Sequence, residues 1–228
     1  MHVIGSLSVG GVQKYVLELS KTSSLSLYKH EVLGTFLSSN SFMDEYNKSK
    51  ILVNILPFSR PSNNKIPYKL DRLLRYISSL LFFFRFWYYL LKSDIKIIHT
   101  HIHLNIISQI LGALLSGKRI VWTIHGEYLL GRFTKLALKM FDFIFSDNKF
   151  HIIADSEAAL YGSLPHYKKK NIINHIIPTG IPLKPYLQEY DQSLIREKYN
   201  IKDDIILIGS TGRIVWQKGY DQLLSLLE

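Results

Sequence analysis

Short apolar runs rich in β-branched residues alternate along this chain with longer stretches whose apolar positions recur every three to four residues. That alternation predicts strands interleaved with helices, an α/β fold on a parallel sheet. The runs predict strands at His2–Ser6, Glu31–Leu37, Ile51–Ile55, Ile95–His99, Arg119–Ile124, His151–Ala154, Ile172–Ile177 and Ile205–Ile208. Between them, Val12, Tyr15, Val16 and Leu19 share one helical face, as do Ile107, Ile110, Leu111 and Leu114, and Leu136, Met140, Phe141 and Ile144. Ser156 predicts an N-cap opening a short helix through Leu164. Several strands end in small or polar residues just ahead of a helix, at Ser6 to Gly11, His99 to His103, His125 to Glu127 and Asp155 to Ser156. In open parallel sheets such strand ends line the ligand crevice.

The segment Leu70–Leu91 carries two apolar stripes. Leu70, Leu73, Leu74, Ile77, Leu80, Leu81, Phe84 and Leu91 predict a core-facing side. The opposite side opens with Asp71, Arg72, Arg75, Ser78 and Ser79, then turns apolar with Phe82, Phe83, Phe86 and Tyr89. One domain face does not easily bury both. Arg72, Arg75, Arg85 and Lys92 around these aromatics fit a helix resting on an anionic membrane surface, the alternative being an unusually well-buried helix. The apolar part, Tyr76–Leu91, is shorter than the ~20 residues a spanning helix needs and contains Arg85, so it predicts a helix that does not span.

Three prolines and a glycine in Pro178–Tyr190 predict a boundary, dividing the chain into a domain at 1–180 and a second, incomplete one at 181–228. With 47% hydrophobic and 20% charged residues the 228-residue chain buries a proper core. Its net charge of +10 favours an anionic partner, and without a zinc-finger or RNA-binding signature nucleic acid is the weakest class. Zero cysteines exclude disulfide and thiol chemistry and favour a reducing compartment. The N-terminus lacks a signal-peptide pattern.

Four places carry candidate chemistry. Gly10-Gly11 between the first strand and helix lets backbone approach a ligand closely, though its spacing does not fit the dinucleotide G-x-G-x-x-G pattern. His99, His101 and His103 alternate at a strand end, so they share a side. A metal site there lacks a local carboxylate or cysteine, which leaves a ligand-facing or structural role as the main reading. His125, followed by Gly126, stands at another strand end, suited to hydrogen bonding or proton exchange with a substrate hydroxyl. Finally, Ile208–Asp221 runs from an apolar stretch through Gly209 and Gly212 to Arg213, Lys218 and a helical pattern, an anion-binding arrangement.

In order along the chain, these motifs resemble retaining, family-4 type glycosyltransferases of the GT-B fold, which has two Rossmann-like domains. HVIGSLSVGGVQKYVLEL resembles that family's first strand and glycine loop, IKIIHTHIH its D-V-V-H-A-H strand, and RIVWTIHGE the strand bearing its active-site histidine. HIIADSEAAL, NIINHIIPTGIPLKPY and GSTGRIVWQKGYDQLL are similar to its V-I-A-V-S, V-I-P-N-G-I-D and V-G-R-L-V-P-E-K-G elements. Lys96, Thr179 and Pro182 depart from them.

The resemblance implies that Arg213 and Lys218, with Gly212, bind the diphosphate of a nucleotide-sugar and stabilise the leaving group. Gly10 and Gly11 would approach the same donor, His125 would orient the transferred sugar, and His101 and Glu127 are acceptor-side candidates. No metal or other cofactor is implied. The expected activity is transfer of a sugar to a glycan or lipid-linked acceptor in surface polysaccharide synthesis, such as lipopolysaccharide or capsule. The expected location is cytoplasmic, peripheral at the inner face of the plasma membrane. The family's paired glutamates lie beyond Glu228, so the chain reads as a fragment with little activity alone. A non-catalytic relic or membrane-associated interaction subunit is the alternative, and a sugar-nucleotide epimerase a third.

Overall fold

The computed structural model describes residues 1–22, 28–36, 42–58, 68–101, 105–126, 130–144, 149–164, 172–180, 183, 187, 193–202, 204–212 and 214–226. The chain divides into two compact units, Met1–Pro182 and Leu183–Glu228.

In the first unit seven strands form one sheet: β1 (His2–Ser6), β2 (Glu31–Phe36), β3 (Leu52–Ile55), β4 (Ile97–Thr100), β5 (Arg119–Ile124), β6 (Phe150–Ala154) and β7 (Ile173–Ile176). Their order is β3-β2-β1-β4-β5-β6-β7, and every neighbouring pair is parallel. Parallel neighbours need long crossovers, supplied here by α1 (Gly11–Lys21), α2 (Met43–Lys48), α3 (Tyr68–Leu91), α4 (Ile106–Leu115), α5 (Arg132–Ile144) and α6 (Glu157–Ser163). The Ser156 hydroxyl caps α6, accepting from the Ala159 amide at 3.1 Å. This is the doubly wound α/β architecture that the alternating pattern predicts.

Helices cover both faces, as a parallel sheet requires. Consecutive strand residues go to opposite sides: Val3 and Leu33 join the core with α3, α4 and α5, whereas Ile4 and Val32 join the core with α1 and α2. The larger core gathers Phe86, Leu90, Ile98, Ile110, Trp122 and Ile152, all fully buried.

Helix α3 forms where predicted but turns the other way. Phe82, Phe86 and Leu90 are its buried stripe, while Leu70, Leu73, Ile77, Leu80, Leu81, Phe84 and Leu91, the sequence-predicted core face, are exposed. Ser79, on the polar side, finds partners at the start of α4. The Ser79 hydroxyl lies 2.9 Å from Asn105 Oδ1, and Ser108 Oγ donates to the Ser79 carbonyl at 3.3 Å. Gly112 lets the two helices approach, since a Cβ there would meet Phe86 Cδ1 at 2.9 Å. Ser79 on the polar stripe is therefore half-buried with partners, and Phe82 and Phe86 beyond it fill the core.

Helix α5 buries only part of its predicted face. Of that face Phe141 is buried, together with Leu138, whereas Leu136, Met140 and Ile144 are exposed. The buried Asp142 carboxylate fixes that orientation by accepting from the Ile172 amide at 2.8 Å, at the entry to β7.

The second unit holds α7 (Ser193–Tyr199), a single 3-10 turn at Trp216–Lys218 and α8 (Tyr220–Ser225). The predicted strand Ile205–Ile208 does not form: its four side chains are exposed, and no strand of this unit lies beside it among the described residues. A strand without a ladder partner has nothing to satisfy its backbone. Arg196 instead ties this stretch to α7, its guanidinium donating to the carbonyls of Lys202 at 2.7 Å and Ile205 at 3.1 Å.

The orientation of α3 is measurable. Phe86→Ala is expected to cost about 3–5 kcal/mol in urea unfolding, the range for an emptied aromatic core site. Phe84→Ala is expected to stay within about 0.5 kcal/mol, as for an ordinary surface change. Equal losses would overturn the orientation.

Candidate functional site

Strand order reverses between β1 and β4, so the crossovers on either side leave in opposite directions. In doubly wound sheets this is where a crevice opens beyond the carboxyl ends of the strands. Gly10 and Gly11 follow β1 at that edge. Gly10 is extended, and a Cβ on it would fall 2.5 Å from Gln13 Oε1, while the Gln13 amide nitrogen donates to the Ser6 carbonyl at 3.0 Å. A Cβ on Gly11 would meet only open space. The loop thus presents bare backbone to whatever occupies the crevice.

His101 follows β4 and His125 follows β5. His101 Nδ1 lies 3.0 Å from His125 Nε2, and Tyr15 from α1 sets its ring edge-on to both, with centroids 5.8 and 5.2 Å away. Burial pushes the His125 pKa down while the carboxylate of Asp155, at the end of β6, pulls it up; the net effect is a neutral-leaning imidazole. Gly126, at φ +155°, leaves open space beyond it. His125 is partly exposed and His101 buried, so His125 is the ring that can meet a ligand and His101 the ring that holds it.

The contacts continue under the sheet edge. His101 Nε2 lies 3.2 Å from His2 Nδ1, His2 Nε2 lies 2.9 Å from His30 Nδ1, and His99 Nε2 lies 2.6 Å from Thr123 Oγ1. Five imidazoles therefore cross four neighbouring strands or their ends. Burial depresses the pKa of His2, His99 and His101, with His99 lowered to about 3, and further lowering comes from neighbouring histidines. His2, His30, Tyr15, Thr123 and Asp155 were not among the sequence-predicted site residues. His2 carries a usable signal only once β1 and β4 are known to be neighbours, because His2 then faces His99 in register.

In the second unit, Gly212 and Lys218 are described and exposed; Lys218 closes the 3-10 turn. Gly219 after it sits at φ +64°, the left-handed region that glycine enters cheaply, and there the turn ends and α8 begins. Arg213, Glu127 and His103 lie outside the described residues. A cavity of about 740 Å³ opens at the opposite, amino-terminal edge of the sheet, among His2, His30, Glu31, Tyr89, Asp94 and His99. The strand-end crevice is the better ligand site on topological grounds, despite the size of that cavity.

The family model for Glycosyltransferase Family 4 matches residues 9–184. A comparison with curated protein sequences finds no match. Among solved structures, a glycosyltransferase from Rickettsia africae is similar at 20% identity and a TM-score of 0.59, over 90% of this chain and 50% of that one. Anabaena HepE, in complex with UDP and glucose, is similar at 14% identity and a TM-score of 0.67, over 99% of this chain and 56% of that one. The same protein in complex with UDP-glucose gives 14% identity and a TM-score of 0.64. These likenesses carry the fold, and the chain spans about half the length of those proteins.

The buried imidazoles make stability depend on pH with a definite sign. An unfolded chain binds their protons near the usual 6.5, whereas in the folded chain the pKa of His2, His99 and His101 lies lower. Their contribution is complete above about pH 7 and shrinks as pH falls below about 6.5. The urea midpoint is expected to fall steadily as pH drops from about 7 towards about 5. A midpoint unchanged over that range would show that the rings are not buried.

Proposed function

The chain belongs to Glycosyltransferase Family 4, and on that premise we propose that it moves a sugar from a nucleotide-sugar donor to a glycan or lipid-linked acceptor in surface polysaccharide synthesis. The family match across residues 9–184 carries this reading. The presence of UDP and glucose in the Anabaena structure supports a nucleotide-sugar as the donor class.

Arg213 and Lys218, beside Gly212, bind the donor diphosphate and take up charge as it departs, the electrostatic part of the catalysis. No metal is assigned to the phosphates. Gly10 and Gly11 bring backbone amides to the donor, and His125 orients the sugar. The bond from the anomeric carbon to the diphosphate oxygen breaks while the acceptor oxygen bonds to the same face of that carbon. The acceptor proton passes to the departing phosphate oxygen, giving retention without a separate carboxylate base. His101, buried under His125, acts by holding that ring, and Glu127 stays assigned to the acceptor side.

The protein works in the cytoplasm, at the inner face of the plasma membrane. The supporting surface is not the stripe singled out in the sequence, because Phe82 and Phe86 are buried. It is the exposed ridge of α3 at Leu73, Ile77, Leu80, Leu81 and Phe84, flanked by the exposed Arg85 and Lys92. Helix α5 adds Phe133, Leu136, Met140 and Phe143 beside Arg132, Lys135 and Lys139, all exposed. No carboxylate lies on either ridge among the described residues. Apolar side chains flanked by cations alone fit an anionic lipid surface. No helix among the described residues is long and apolar enough to cross a membrane.

In the natural gene product, His125→Ala is expected to lower sugar turnover roughly a hundredfold or more. Arg213→Ala with Lys218→Ala is expected to weaken UDP or GDP binding, read by calorimetry, at least about tenfold. Near-normal turnover in the first, or unchanged nucleotide affinity in the second, would reject these roles. For the membrane, the protein is expected to float with vesicles containing anionic lipid but not with purely zwitterionic ones. Ile77→Glu with Phe84→Glu should abolish that flotation; retained flotation rejects the α3 surface.

A further inference from the structure

One ring nitrogen from each of His2, His99 and His101 lies within 4.8 Å of the others, at the junction of β1 and β4. We propose that these three histidines form a binding site for a divalent transition-metal ion of the zinc type, its fourth position taken by water. This needs only the sheet of the first unit and stands apart from the nucleotide-sugar reading.

The donor set suits the ion, since three imidazoles with an open fourth position are a recurrent zinc arrangement, and imidazole also suits cobalt and nickel. One of the three spacings already suits it, the set as a whole lying within 4.8 Å. Two nitrogens bound tetrahedrally at about 2.0–2.1 Å from one ion stand roughly 3.3 Å apart. His2 Nδ1 and His101 Nε2 are 3.2 Å apart.

The strongest support lies in the second nitrogen of each ring. A metal-bound histidine characteristically donates its other N–H to a fixed acceptor, which orients the ring and sets its tautomer. Here His2 Nε2 has His30 Nδ1 at 2.9 Å, His101 Nδ1 has His125 Nε2 at 3.0 Å, and His99 Nε2 has Thr123 Oγ1 at 2.6 Å. That leaves Nδ1 of His2, Nε2 of His101 and Nδ1 of His99 for the ion. His2 and His101 are buried, so little side-chain freedom remains to be lost on binding. His2 and His99 also line the cavity at the amino-terminal edge, where Glu31 and Asp94 offer carboxylates along a route for a cation.

Occupancy has a consequence for His125. Without the ion, the bond between His101 and His125 can run in either direction, depending on tautomer. With the ion on His101 Nε2, the His101 proton must sit on Nδ1 and point at His125 Nε2. His125 then becomes the acceptor and carries its own proton on Nδ1. The ion would set the tautomer of the exposed ring without touching a ligand itself.

The test uses the tag-free, metal-stripped chain titrated with Co²⁺, and then with Zn²⁺ in competition. One equivalent of Co²⁺ is expected to produce the visible absorption of a four-coordinate site, and Zn²⁺ should bleach it. His99→Asn and His2→Gln, each checked for folding by circular dichroism, are expected to weaken binding at least tenfold. His151→Ala, which breaks the separate pair His151–His175 at 3.4 Å, should leave it unchanged. Absence of the cobalt spectrum, its persistence in folded His99→Asn, or its loss in His151→Ala would each overturn the site. Should both cluster variants fail to fold, nitrogen NMR of the unmutated chain decides. Zn²⁺ is expected to fix His125 as the Nδ1–H tautomer, and an unshifted His125 ring overturns the proposal.

Discussion

The ladder between β1 and β4 holds the rest of the structure in place. The His99 amide donates to the Met1 carbonyl at 2.8 Å and the His101 amide to the Val3 carbonyl at 2.9 Å, which joins three strands on one side to four on the other. The order reverses at this ladder, which is where a doubly wound sheet opens a ligand crevice. Because side chains alternate along a strand, the same register puts His2 over His99 on the α1 side and Val3 with Ile98 on the other. A slip of one residue would drive His2 into the apolar core and break both arrangements together.

Helix α3 shows how a correct pattern can be read the wrong way round. Two apolar stripes were legible in Leu70–Leu91, and the more continuous one looked like the core face. The choice was made by the neighbour: Gly112 on α4 leaves room for Phe86, while Asn105 and Ser108 supply partners for Ser79. Polar residues are readily buried once paired, so their presence on a stripe does not mark it as solvent-facing. The same reasoning covers α5, whose single buried carboxylate at Asp142 is fixed by the backbone of a strand distant in sequence.

For the candidate site, the strand-end positions of Gly10, Gly11, His101 and His125 were readable because small and polar residues interrupt apolar runs just before helices. Their environment was not. Nothing local ties His2 to His101, 99 residues away, or brings Tyr15 against His125. The alternating His99, His101 and His103 had led the eye to the third histidine of one strand. Among the described residues, which do not include His103, the cluster also takes in a ring from the neighbouring strand.

What the sequence determined alone was the family and most of the elements, helix α2 excepted, since periodicity and turn residues act over short spans. Seven of its eight predicted strands form, with small shifts at their ends. The eighth, Ile205–Ile208, did not, because a strand requires a partner that local pattern does not provide. Tertiary structure decided which helix faces are buried, which histidines meet, and how burial holds their protons off. Those outcomes depend on contacts between residues far apart in the chain, and on the low polarity that only the assembled sheet and its helices create around them.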